Sequence, residues 1–217
     1  MQRHFFVVII MLLIIACQPT ITQKQDVSET TKRNVIIDNM LTRRAIRKYT
    51  DQQVSKEQLD TILKCAIYAP SALNRQPWQV RVIQNKKLLD EINQRFLNFA
   101  EGKEFQGSAS RYREPGFSIF HNSPSLIVIA RDVNIGTSTL DCGIILQNIL
   151  LSAHGIGLGT CPIGSLVPVL NLPENKDILE QLDIPEGYEV AINVSLGYAD
   201  EKPVTKKRFE NRVKIIE

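Results

Sequence analysis

Between Ser138 and His154, the residues Leu140, Ile144, Ile145, Leu146, Ile149, Leu150 and Leu151 cover more than one face of a helix. A helix apolar around most of its circumference must be buried on nearly every side. In a chain of 217 residues, it is therefore either the central core helix or a helix packed against another subunit. The remaining composition is ordinary: 43% hydrophobic and 23% charged residues fit one globular domain with a tail. With 26 Lys and Arg against 23 Asp and Glu, the net charge of +3 suggests no nucleic-acid partner unless the cations share one face. They cluster only around Arg43–Lys48 and Lys206–Arg212. Cys17, Cys65, Cys142 and Cys161 are widely spaced with no CxxC pair, so neither a metal site nor a disulfide framework is expected.

The N-terminus reads as an address. After Arg3, the run Phe5 to Ala16 is apolar without interruption, short of the roughly 20 residues of a membrane-spanning helix and laid out as a secretory signal. Its end, Leu13-Ile14-Ile15-Ala16-Cys17, resembles a bacterial lipobox. The expected organisation is a lipoprotein signal peptide at 1–16, a lipid-anchored flexible tether at 17–33, and a domain at 34–217. The protein is then exported and held to a bacterial membrane through Cys17. Translation from Met40 would instead leave a cytoplasmic protein with a shortened first helix.

Within the domain, Val35-Ile36-Ile37 with Met40-Leu41 opens a helix. Ser55 and Gln58 have capping-box spacing, ahead of Leu59, Ile62, Leu63, Ala66 and Ile67 at helical intervals. Gln79–Gln84 reads as a strand, and Lys86–Ala100 as a helix with Leu88, Leu89, Ile92, Phe96 and Leu97 inward. Glu101–Asn122 reads as a loose, mobile excursion with room for helix at its ends, and Ser125–Arg131 as a buried strand. After the apolar helix come a glycine-rich turn and short strand (Gly155–Gly164), a short helix (Pro173–Leu182), a strand (Tyr188–Leu196) and a basic tail. Mixed elements without strict alternation indicate an α+β fold.

The glycine-rich turn follows a helix and precedes a strand, the reverse of a dinucleotide-binding loop. There is no Walker lysine or Gly-x-Ser-x-Gly, and His4, His121 and His154 are isolated. Two features exceed what folding needs. Arg43, Arg44 and Arg47 crowd five residues without an acid, an arrangement suited to a phosphate. Pro70-Ser71-Ala72-Leu73-Asn74-Arg75-Gln76-Pro77-Trp78 forms a proline-stiffened loop whose amides can meet a planar heterocycle, or simply a turn anchored by Trp78.

Four motifs in order resemble the FMN-dependent nitroreductase family over about Asn34 to the C-terminus. Thr42 to Tyr49 resembles the family's Arg-Arg-Ser-x-Arg segment; Arg43, Arg44 and Arg47 match, and Ala45 stands where Ser is usual, leaving backbone contact there. Pro70-Ser71-x-x-Asn74-x-Gln76-Pro77-Trp78 is similar to the signature that approaches the flavin from the partner subunit. Gly157 to Ser165 resembles the segment whose backbone, at Pro162, Ile163, Gly164 and Ser165, lies along the isoalloxazine. Some members carry Glu where this chain has Gly164. Lys206-x-Arg208 resembles the terminal pair on the FMN phosphate.

The resemblance implies a three-layer fold with a mainly antiparallel central sheet flanked by helices, and an obligate homodimer with two shared FMN sites. The Leu140–Leu151 helix would then lie at the interface and the C-terminal segments reach onto the partner. It further implies ping-pong transfer from NAD(P)H to a small planar acceptor, a nitroaromatic or quinone, with no catalytic side chain and no metal because the flavin N5 carries the chemistry. Phe105, Tyr112, Phe117 and Phe120 of the loose segment are expected to roof the flavin. An exported protein meets little NAD(P)H, so the alternative is an exported flavin-binding protein with another electron donor or a storage or interaction role.

Overall fold

The computed structural model describes residues 26–217, with side chains from Asn34 onward. The expected signal peptide, Cys17 and the tether as far as residue 25 lie outside the described residues. Helix α1 spans Asp26–Thr42. Its first half takes in residues 26–33, which the sequence assigned to the flexible tether; no Gly or Pro interrupts 26–42, and straight-chain Glu and Lys residues favour helix even without an apolar period.

From Asn39 onward the chain forms a compact body around four strands, β1 (Trp78–Ile83), β2 (Ser125–Asp132), β3 (Gly159–Ile163) and β4 (Tyr188–Gly197). They are ordered β1-β2-β4-β3 and every pair is antiparallel. Helices α2 (Lys56–Ile67) and α4 (Ser138–Gly155) cover one face. Helices α3 (Lys86–Ala100), α5 (Val167–Leu170) and α6 (Lys176–Gln181) cover the other. The central strand β2 is buried on both sides, which is why its sequence is continuously apolar. Leu126, Val128 and Ala130 point to the α3 side, and Ile127 and Ile129 to the α2–α4 side. In β4 a register shift opposite Ile129/Ala130 inserts one residue at Ala191. That reverses the alternation: Val190 faces α3, whereas Val194 and Leu196 face α4.

Local signals set the helix ends. Ser55 accepts from the Gln58 amide while the Gln58 side chain accepts from the Ser55 amide, closing the predicted capping box. Helix α3 has the predicted bounds, capped by Asn85, and buries Leu89, Ile92, Phe96 and Ala100. Helix α5 escaped the sequence reading because four residues containing Pro168 carry no readable period.

The segment 101–122 differs from expectation. It is a chain of turns and one 3₁₀ turn at Gly107–Arg111, and it is packed down. Phe105 lies 5.6 Å and Phe117 6.0 Å from Phe96, ring to ring, and Tyr112 meets Phe105 edge-on. Phe120 is buried in the same cluster. These four aromatics therefore pack on the α3 face of the core and do not form a loose excursion, because burying ring surface in one cluster is worth more than leaving it in water. No helix among the described residues is long and apolar enough to cross a membrane.

Candidate functional site

The arginine segment is fixed by the sheet. Residues 45 and 46 run parallel to β3: Ala45 bridges Thr160, and the Ile46 amide donates to the Thr160 carbonyl at 2.9 Å. The approach is close enough that a Cβ on Gly159 would stand 2.8 Å from Ile46, so the glycine there is what allows the two backbones to meet. Farther on, Thr50 donates to Tyr198 and Asp200 to Lys48, clamping the segment to the chain leaving β4. The Arg47 amide donates to the Glu201 carboxylate. The structure thus brings together Arg43, Arg44, Ala45 and Arg47, β3 at Thr160, and the C-terminal segment; Pro162–Ser165 follow toward the other end of β3.

None of the three arginines forms an ion pair with a described residue, but they are not equivalent. Arg44 is tied down: Nη1 donates to the Leu41 and Arg43 carbonyls at 2.6 and 2.8 Å, and Nη2 to the Thr205 hydroxyl at 2.6 Å. Arg43 has a buried Nη1 with no partner. Burial, then the nearby Arg44 and Arg208, hold its guanidinium below the ordinary arginine range. A cation so placed is destabilising until an anion meets it. Beside it lies a cavity of about 340 Å³. Lys206 and Arg208 are exposed, and Arg208 is close enough for its charge to be felt at Arg43.

At the end of β3, Ile163 points its side chain into the core, leaving only backbone for a ligand. Gly164 is exposed, and a Cβ there would meet nothing within 4 Å, so this edge has open room for a flat ring. The unpartnered Arg43, the cavity and this open edge fit the FMN that the resemblance implies. Among the described residues, no group of His, Cys, Asp and Glu is placed to hold a metal ion.

The other predicted ligands are elsewhere. Ser71, Asn74 and Gln76 form a tight loop in which Ser71 Oγ accepts from the Gln76 amide at 2.9 Å and Gln76 donates to Asn74. Leu73, Asn74 and Gln76 all have left-handed backbone, unusual for non-glycine residues and costly unless the surroundings enforce it. Trp78 anchors the loop in the core. The Ala72 amide donates to Asp141 at the start of α4, whereas Thr42, next to the arginines, bonds His154 at its end. Thirteen residues of helix put these two ends about 20 Å apart. Pro70–Gln76 and the arginine segment therefore do not meet within one chain.

The sequence reading passed over His121. It is buried, has left-handed backbone, and its Nε2 has no partner. Burial first, then Arg47 and Arg111, push its pKa down to about 4. Unfolded, it protonates below about 6.5, so its contribution to stability is intact above that pH and is lost as pH falls from about 6.5 to about 4. The loss amounts to about 3 kcal/mol. Urea titrations across this range should show that slope, and His121→Asn, which tolerates the left-handed backbone, should flatten it.

The family model for the nitroreductase family matches residues 40–198. A crystal structure of a nitroreductase with bound FMN from Desulfitobacterium hafniense superposes with a TM-score of 0.78 at 30% identity, covering 85% of this chain and 99% of that one. A 4-nitrobenzoate reductase of Pseudomonas putida is 28% identical over 193 residues, 73% of this chain and 83% of its own length. An FMN reductase [NAD(P)H] of Bacillus subtilis is 27% identical over 189 residues, 81% of this chain and 70% of its own. The matched region contains the sheet, the arginine segment, the Pro70–Trp78 loop and the β3 end, and on these grounds the chain belongs to the nitroreductase family.

Proposed function

We propose that this protein is an FMN-dependent oxidoreductase that takes electrons from NAD(P)H and passes them to flat electron-poor acceptors, nitroaromatics and quinones. The observation that carries this reading is the buried, unpartnered Arg43 Nη1 at a basic cavity by the start of β3, with the open Gly164 edge at the strand's other end. The FMN-bound relative from D. hafniense and the relatives named FMN reductase [NAD(P)H] and 4-nitrobenzoate reductase support it. When bound, FMN supplies hydride acceptance and donation. Arg43 and Arg44, with Lys206 and Arg208, hold its phosphate, and the Pro162–Ser165 backbone lines the ring. Nucleotide and acceptor use one face in turn, a ping-pong order, and no side chain is assigned a proton in the transfer itself.

The working unit in this reading is a homodimer. The two groups of ligands sit at opposite ends of α4, and a two-fold axis places the Pro70–Gln76 loop of one copy at the arginine end of the other. Leu140 on α4 is 69% exposed in the single chain, and Ile67, Tyr68 and Leu73, in or just before the loop, are exposed as well. Phe209 and Ile215 of the C-terminal segment are exposed too. These apolar groups are suited to a partner surface. Anaerobic NADH or NADPH should bleach a yellow, dimeric protein, and a nitroaromatic or quinone should restore the colour. A colourless protein that takes up no FMN would rule the reading out.

The lipobox at Leu13–Cys17 favours a second reading, an exported, membrane-anchored flavoprotein served by another electron donor or used for storage. A diacylated Cys17 peptide in the mass spectrum of the native protein supports export; an N-terminus at Met40 excludes it.

A further inference from the structure

The cavity beside Arg43 holds more cations than the family motifs account for. It is lined by Thr42, Arg43, Arg44, Ile46, His154, the Gly157–Thr160 turn, Ala199, Lys202 and Pro203, and by no acid. The acids beside Lys202 are engaged elsewhere: Asp200 pairs with Lys48 at 2.6 Å, and Glu201 takes the Arg47 amide. His154 enters from the last turn of α4, and its Nε2 lies 3.0 Å from the Thr42 hydroxyl. The helix C-terminus favours a cation at this place. Burial, then Arg43 and Arg44, oppose one and hold the imidazole below its usual range. Burial is the first cause, and the two arginine charges, standing beside the ring without an anion, add to it.

Resting on the FMN reading above, we propose that His154 and Lys202 belong to the cofactor-phosphate site, and that His154 takes up a proton when the phosphate enters. A phosphate dianion offsets Arg43 and Arg44 and sets a negative charge beside the ring, so the electrostatic opposition to protonation, which adds to that of burial, turns into attraction. The protonated ring donates from both nitrogens, one hydrogen bond going to Thr42 and the other left for the anion side. FMN binding is then linked to pH through His154, and riboflavin, which lacks the phosphate, is not.

The test is calorimetric titration of flavin-free full-length protein with FMN and, separately, riboflavin. It is run at pH 7 in two buffers of different ionisation enthalpy, where the phosphate is already mostly dianionic because its second pKa is about 6. FMN should bind with net proton uptake that disappears in His154→Gln, and riboflavin with none. NMR of the three histidine rings should show the His154 pKa rising by about one unit or more on FMN addition. Lys202→Ala should weaken FMN about tenfold and leave riboflavin unchanged. Equal proton counts in wild type and His154→Gln, with FMN bound normally by both, would overturn the proton-uptake proposal alone. Unchanged FMN affinity in Lys202→Ala would remove Lys202 from the site. Failure of the wild-type protein to bind FMN would overturn the flavin reading and this proposal with it.

Discussion

Arg43→Gln is expected to lower FMN affinity by roughly 10- to 100-fold, the loss that follows from removing one charge-assisted hydrogen bond to a phosphate. Riboflavin binding should change little, which identifies the phosphate as the group Arg43 meets. The effect is assigned to Arg43 and not to its neighbour because only Arg43 has a buried donor with no protein partner. Arg44 already spends three hydrogen bonds on Leu41, Arg43 and Thr205, so Arg44→Gln should weaken FMN less than Arg43→Gln, through lost charge, and should also loosen the attachment of the C-terminal segment. A further difference concerns stability without flavin. There Arg43→Gln removes an unpaired buried cation and should leave the flavin-free protein as stable or slightly more so. Fluorescence titrations with the two flavins, and melting curves with and without FMN, check all three expectations. Equal loss of FMN and riboflavin affinity would place Arg43 at the ring instead.

Phe96→Ala should cost about 4 kcal/mol of folding stability, within the range for truncating a fully buried aromatic. Phe96 is completely buried, and its ring is the shared neighbour of Phe105 and Phe117. The substitution therefore opens a cavity and also removes the surface on which the 101–122 segment is seated. That segment contains His121, which feels the charges of Arg47 and Arg111, so its loosening reaches the arginine segment. Urea unfolding should show the lost stability, and hydrogen exchange should rise first in 101–122. A loss below about 1 kcal/mol, typical of sites away from a packed core, would mean that the aromatic cluster is not what holds this segment.

Where one element's own pattern contains the answer, the sequence was readable. Leu89, Ile92, Phe96 and Ala100 recur at helical spacing, and α3 has the predicted bounds. Ser55 and Gln58 close the predicted box. The four candidate motifs were visible because each pairs charge or backbone-shaping residues at a spacing that core formation does not require. Aromatics among glycines in 101–122 misled, because composition reports turn formers but not what a ring finds to pack against. His121 and His154 were passed over as isolated, since a single histidine carries no local sign of its neighbours.

The amino-acid sequence by itself determined most of the elements, the burial of β2, the family and the crowding of cations at Arg43–Arg47. Periodicity and capping act between residues a few positions apart, so they are written locally. Tertiary structure alone decided that Arg43 is free while Arg44 is tied. It also decided that Pro70–Gln76 sits at the Asp141 end of α4, and that His154, Lys202 and the arginines line one cavity. Those relations depend on contacts such as Thr42 with His154, 112 residues apart. No local pattern encodes them, because they arise only when the sheet order β1-β2-β4-β3 brings distant segments to the same edge.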